Sequence, residues 1–200
     1  MIDGVREEMS EIDTLLCEKE KELTEATHGS GITLVLAKAE NYTRAVLQLI
    51  EVSVNIKKEP GVYVTLNKPY AAMKKLLENK VDLRMLIFID AFTQPAGGRS
   101  EKAEGVLFLS NAEDLTGLSI ALDQAVKSIP SKQKFVFFDS LSTLLIYNKS
   151  GSVAKFIHFL TCKMRLWEID GVFISLDEED DQVISKLKMY CDNIIRLKEN

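Results

Sequence analysis

The stretch Phe135-Val136-Phe137-Phe138-Asp139-Ser140 limits the fold of this chain more than any other. Four apolar residues run together without polar alternation, which marks a strand covered on both faces, as in a parallel sheet wrapped by helices. Asp139 then arrives where that strand stops. Open α/β sheets bind ligands outside the carboxyl ends of their strands, so a carboxylate there is a candidate for ligand chemistry.

The rest of the chain alternates strand and helix signals around this strand. His28-Gly29-Ser30-Gly31 predicts a turn, and Ile32–Ala37 a first strand. A helix from Asn41 or Tyr42 to about Lys57 has Ala45, Val46, Leu49, Ile50 and Val52 on its apolar face. After Pro60-Gly61, Val62–Leu66 reads as a second strand. Pro69 suits the first turn of the next helix, where its missing N–H costs nothing; Tyr70, Met73, Leu76 and Leu77 follow it. A third strand, Met85–Ile89, again meets a carboxylate, Asp90. The polar run from Gln94 to Gly105 predicts a long loop, and Val106–Leu109 a short strand. Asn111, with Asp114 three residues on, predicts the cap of a helix running to about Ser128. Val153, Phe156, Ile157, Leu160, Met164 and Trp167 predict another helical face. Asp170-Gly171 reads as a turn into the strand Val172–Leu176. Asp177 to Asp181 lead a further helix, and Ile194–Leu197 closes the chain as a strand. This alternation predicts an α/β fold with three layers, α/β/α, around a mostly parallel central sheet.

Two hundred residues suffice for one such domain and its core. A net charge near −5, with no Lys/Arg-rich run, argues against a nucleic-acid surface. Cys17, Cys162 and Cys191 are an odd, widely spaced set without C-x-x-C spacing, which predicts reduced thiols in a cytoplasmic protein. No apolar run reaches the ~18 residues of a membrane helix, and the acidic N-terminus does not read as a signal peptide.

Several stretches combine into a pattern. Gly29-Ser30-Gly31-Ile32-Thr33-Leu34-Val35, Gly61-Val62-Tyr63-Val64-Thr65-Leu66, Phe88-Ile89-Asp90-Ala91 and Phe138-Asp139-Ser140-Leu141-Ser142-Thr143-Leu144 occur in this order, and Gly171–Ser175 through Cys191–Leu197 complete them. Their order and spacing resemble the RecA-like ATPases, most closely the KaiC/Rad55-like branch found widely in archaea, over roughly residues 28–197. The resemblance implies a RecA-like fold. It also implies that Asp139 stands at the magnesium-supporting position, with Ser142 and Thr143 behind it to sense a phosphate.

The departures bear on function. A phosphate loop reads G-x-x-x-x-G-K-[ST], because glycines let backbone N–H groups curl around a phosphate. Here the first strand runs into Ala37-Lys38-Ala39-Glu40-Asn41-Tyr42-Thr43-Arg44, with no glycine and with an acidic Glu40. The family also places a glutamate at the end of the second strand, where this chain has Asn67 and Lys68. Hydrogen bonds to charged groups contribute roughly 1.5–3 kcal/mol each. Losing the loop lysine and two amide contacts therefore costs about 5 kcal/mol, on the order of three to four decades in affinity. A micromolar nucleotide site becomes millimolar or weaker. The expectation is a degenerate, non-catalytic member acting as a protein-interaction or regulatory module, with no catalytic residue and no cofactor. The competing reading is an unconventional nucleotide site, binding ATP and Mg2+ through Asp139, Ser142, Thr143, Lys38 and Arg44. Its lid would be the 94–105 loop.

Other polar features read more plainly. Asp90 and Asp139 lack a third ligand of matching spacing for a metal. Asp177–Asp181 lacks calcium-loop spacing and suits a helix start. His158 reads as a core or groove histidine. Residues 2–26 carry Ile2, Met9, Leu16 and Leu23 every seven residues, with Val5, Ile12 and Ala26 at the second apolar position and Lys19 interrupting it. This predicts an N-terminal helix over 1–27 ahead of the domain at 28–200. Two roles stay open for it: an amphipathic helix lying on its own domain, or a dimerising or partner-binding helix.

Overall fold

A computed structural model describes residues 31–98, 103–111, 113–177 and 182–197. The N-terminal heptad segment, the turn at 28–30, residues 99–102 of the 94–105 loop and the acidic residues 178–181 lie outside the described residues.

The strands are β1 (Ile32–Ala37), β2 (Gly61–Thr65), β3 (Leu86–Asp90), β4 (Val106–Phe108), β5 (Phe135–Asp139), β6 (Asp170–Leu176) and β7 (Asn193–Arg196). The helices are α1 (Tyr42–Glu51), α2 (Tyr70–Leu77), α3 (Leu115–Ser128), α4 (Leu141–Tyr147), α5 (Ser150–Trp167) and α6 (Gln182–Leu187). The strands form one parallel sheet in the order β4-β3-β2-β5-β6-β1-β7. Helices cover both faces, so the three-layer α/β expectation holds.

The central strand shows why an unbroken apolar run suits this position. Successive side chains of a strand point to opposite faces. Val136 and Phe138 join the layer containing Ile32, Leu34, Val64 and Phe173 beneath α3, α4 and α5. Phe135 and Phe137 join Val35, Tyr63, Phe88 and Val172 beneath α1 and α2. Gly61 belongs to the same packing, because a Cβ there would stand 2.5 Å from the Phe135 ring.

Register positions the carboxylates. Thr65 of β2 pairs with Asp90 on one side and with Asp139 on the other. These three residues therefore lie in one row at the carboxyl edge, on the α1/α2 face.

Local structure departs from the sequence reading at several points. The first helix is α-helical only to Glu51 and continues as a π-helical turn over Val52–Ile56. Ser53 Oγ donates to the Leu49 carbonyl there, competing with the regular ladder. Pro69 is the N-cap of α2 and stands just outside its first turn. Asp114, not Asn111, caps α3, accepting from Gly117 N at 2.8 Å; Asn111 instead closes a turn onto Glu113 N. Asp170 and Gly171 belong to β6, since pairing with β1 and β5 extends that strand past the expected turn. The polar exit after Asp139 leads into α4, a short helix absent from the sequence reading and capped by Ser140.

Candidate functional site

Asp139 ends β5 at the carboxyl edge, 2% exposed, followed by a cis peptide bond to Ser140. Its carboxylate accepts from two phenols. Tyr63 OH donates to Oδ2 at 2.7 Å, and Tyr42 OH donates to Oδ1 at 3.2 Å.

Each tyrosine is placed by its element. Tyr63 lies in the middle of β2, fully buried, two residues before Thr65 and therefore on the Asp139 face. Its ring packs between Phe88 and Phe137, with centroids 5.3 and 5.2 Å away. Tyr42 opens α1 on the side that also buries Ala45, Val46 and Leu49. Between β1 and α1 stand only Lys38 and a 3-10 turn, Ala39–Asn41. This short connection brings the first side chain of the helix directly over the end of β5. A buried tyrosine hydroxyl needs a partner, and Asp139 serves both.

The electrostatics of the cluster follow from its burial. Loss of water pushes the Asp139 carboxyl above its ordinary value of 3.8, and the Tyr63 and Tyr42 hydrogen bonds and the Lys68 charge only partly offset this. Burial and the adjacent Asp139 carboxylate push both phenols well above the usual tyrosine range. The tyrosines are thus held as neutral donors, suited to hydrogen bonding and poorly suited to acting as bases.

The other candidate residues do not converge on this carboxylate as one set. Ser142 Oγ stands 2.8 Å from Ser175 Oγ and accepts from Leu176 N at 2.9 Å, tying α4 to the end of β6. Thr143 is engaged by Ser140, through its amide at 3.2 Å and its hydroxyl at 3.1 Å. Lys38 is exposed at the end of β1, and Arg44 is exposed on α1. The basic side chain whose charge acts on Asp139 is Lys68, at the exit of β2, and its ammonium donates to Thr43 Oγ1 at 2.8 Å. It stands in the neighbourhood where the family resemblance implies a glutamate.

Asp90 is wholly buried and occupied. It accepts from Tyr70 N at 2.8 Å, Phe92 N at 2.8 Å and Thr93 N at 2.7 Å, and from the Thr93 hydroxyl. It therefore pins the start of α2 and the turn after β3. Its neighbour in the row, Thr65, donates to the Lys68 carbonyl. His158 is an exposed residue on the flank of α5, not a core one, with its ring 4.7 Å from that of Tyr190.

The residues that the sequence did not connect with Asp139 are Tyr42, Tyr63 and Lys68. A tyrosine inside the otherwise apolar strand Val62-Tyr63-Val64 was the available signal, because its hydroxyl has to be satisfied in the core.

Among solved structures that match, the KaiC-like protein PH0186 from the hyperthermophilic archaeon Pyrococcus horikoshii OT3 aligns with a TM-score of 0.60 at 12% identity. The alignment covers 86% of this chain and 74% of that one. The fold is therefore the KaiC-like, RecA-type α/β fold. No curated protein matches the chain. A family model described as a family of unknown function (DUF7504) matches residues 59–197, from the approach to β2 through β7, and the chain belongs to that family.

Proposed function

We propose that this protein is a non-catalytic RecA/KaiC-like domain that works as a protein-interaction or regulatory module. One observation carries the reading: both oxygens of the magnesium-position carboxylate, Asp139, already accept hydrogen bonds from buried phenols of the same chain. Asp139 is only 2% exposed, so a metal ion there would compete with both phenols for the carboxylate, and displacing either leaves a hydroxyl unpaired at a cost of about 1–3 kcal/mol.

Two further features support it. The β1–α1 connection, Lys38 and one 3-10 turn, has no glycine and offers no loop to curl around a phosphate. At the end of β2, Asn67 and Lys68 stand where the resemblance implies a glutamate to activate water. What is kept is the framework, a rigid parallel sheet with both faces covered, whose outer surfaces are available to a protein partner.

The test is calorimetric titration of the protein with magnesium-ATP. The expected result is no binding heat up to millimolar nucleotide. Micromolar binding would overturn the proposal in favour of an unconventional nucleotide site.

A further inference from the structure

Three of the exposed apolar side chains belong to segments that meet where the chain enters β1. Leu166 on the last turn of α5 is 83% exposed, Met189 is 80% exposed, and Ile194 on β7 is 48% exposed. Each lies one or two residues along the chain from a member of one polar anchor. Arg165 donates to the Tyr190 carbonyl at 3.1 Å and to Asp192 Oδ1 at 2.7 Å. Asp192 Oδ2 in turn accepts from Ile32 N, the first residue of β1, at 2.7 Å. Residues 1–30 therefore join the domain within a side chain's reach of the end of α5.

The outer side of α5 continues this surface. Its inward side is Val153, Phe156, Ile157, Leu160, Thr161 and Met164. Phe159 (47% exposed) and Leu166 are seven residues apart on the outward side, with the exposed Cys162 between them. The surrounding charged residues include three lysines and the exposed Glu168 that follows the helix. Lys155 and Lys186 are exposed and Lys188 is half-buried. The nearby carboxylates of Asp123 and Asp192 are already bridged, by Lys163 with Lys127 and by Arg165 respectively.

The segment that precedes β1 has the complementary character. Residues 1–27 contain nine acidic and three basic residues, whereas 28–200 contain 21 acidic and 22 basic ones. Their apolar stripe is Ile2, Val5, Met9, Ile12, Leu16, Leu23 and Ala26. At ~1.5 Å per residue, a helix over residues 2–26 spans about 37 Å, more than the ~27 Å of the 18-residue α5.

We infer that residues 2–26 dock in cis on the outer face of α5 and the adjoining Met189 turn. Their apolar stripe covers Phe159, Leu166 and Met189, and their acidic flanks face Lys155, Lys186 and Lys188. Of the two roles open for the segment, this selects the helix lying on its own domain and names the surface. It stands independently of the nucleotide reading, since neither Asp139 nor its tyrosines take part.

The native cysteines provide the test. Cys17 follows Leu16 of the stripe, and Cys162 lies on the proposed face. Burial and the nearby Asp192 push the Cys191 thiol up to about 12, which keeps it out of the reaction. The full chain is treated at low concentration with a long-armed bismaleimide and analysed by intact mass and peptide mapping. The expected product has monomer mass and carries one internal Cys17–Cys162 link. That link should be lost in the Phe159→Glu/Leu166→Glu double variant and in Ile12→Glu. It should persist in Ile146→Glu, which alters an exposed apolar residue of α4. Two singly capped thiols in the unaltered chain would overturn the inference. So would a link found only between two chains, which would make a second copy the occupant. Circular dichroism verifies that each variant is folded, and persistence of the link in folded Phe159→Glu/Leu166→Glu or folded Ile12→Glu would also overturn it.

Discussion

At Asp139 the side chains that close the site are ones whose chemistry permits little else. A carboxylate 2% exposed needs donors, and Tyr42 and Tyr63 supply them as neutral phenols. The shorter of the two bonds comes from Tyr63. Tyr63→Phe keeps the ring between Phe88 and Phe137 and removes only the hydroxyl. A hydrogen bond to a charged acceptor contributes about 1.5–3 kcal/mol, so urea denaturation should show a loss of that size with an unchanged slope. A loss below ~0.5 kcal/mol would mean that Tyr63 does not hold the carboxylate. Sequence alone identified Asp139 as the residue to watch but not its partners. Tyr42 and Tyr63 are 97 and 76 residues away from it. No spacing rule connects a helix start and a strand interior to a third element's end.

Among the elements, the junction after α1 shows how one irregularity is used. The π-helical turn Val52–Ile56 delivers Lys57, whose ammonium pairs with Asp170 at the start of β6 and stands 3.2 Å from Glu59 Oε2. The Lys57 and Asp170 side chains are only 5% and 8% exposed. Removing one partner of a buried pair strands the other charge and costs about 3–5 kcal/mol. Lys57→Met should therefore lower stability by that amount in chemical denaturation, while exposed Lys58→Met stays within about 0.5 kcal/mol of the parent. Equal effects would show that the pair contributes nothing beyond surface charge. Element existence was legible in the sequence for all seven strands, because each is an apolar run bounded by turn residues. The π turn, the short α4 and the extension of β6 through Asp170 were not, since hydrogen-bond partners across the fold decide them.

For the whole molecule, strand order sets the distribution of stability. β5, β6 and β1 occupy the middle of the sheet between paired neighbours, whereas β4 and β7 each pair on one side among the described residues. Local opening requires fewer broken contacts at an edge. Native-state hydrogen exchange should therefore find the amides of Val35, Phe137 and Phe173 opening only with global unfolding. Those of Val106–Phe108 and Asn193–Arg196 should exchange through smaller openings. Uniform protection across the sheet would contradict this reading of the topology.

The sequence by itself determined the fold class and the edge at which to look. Four consecutive apolar residues before Asp139 require cover on both faces, and the alternation of strand and helix requires parallel pairing. Only the tertiary structure decided what that edge holds. The row Asp90, Thr65, Asp139 comes from register between β3, β2 and β5. The tyrosine pair comes from the short β1–α1 connection and the packing of α1 on the sheet. Periodicity is a local property of the chain, readable from neighbours in sequence. The partners of a buried carboxylate are set by which distant elements pack against it.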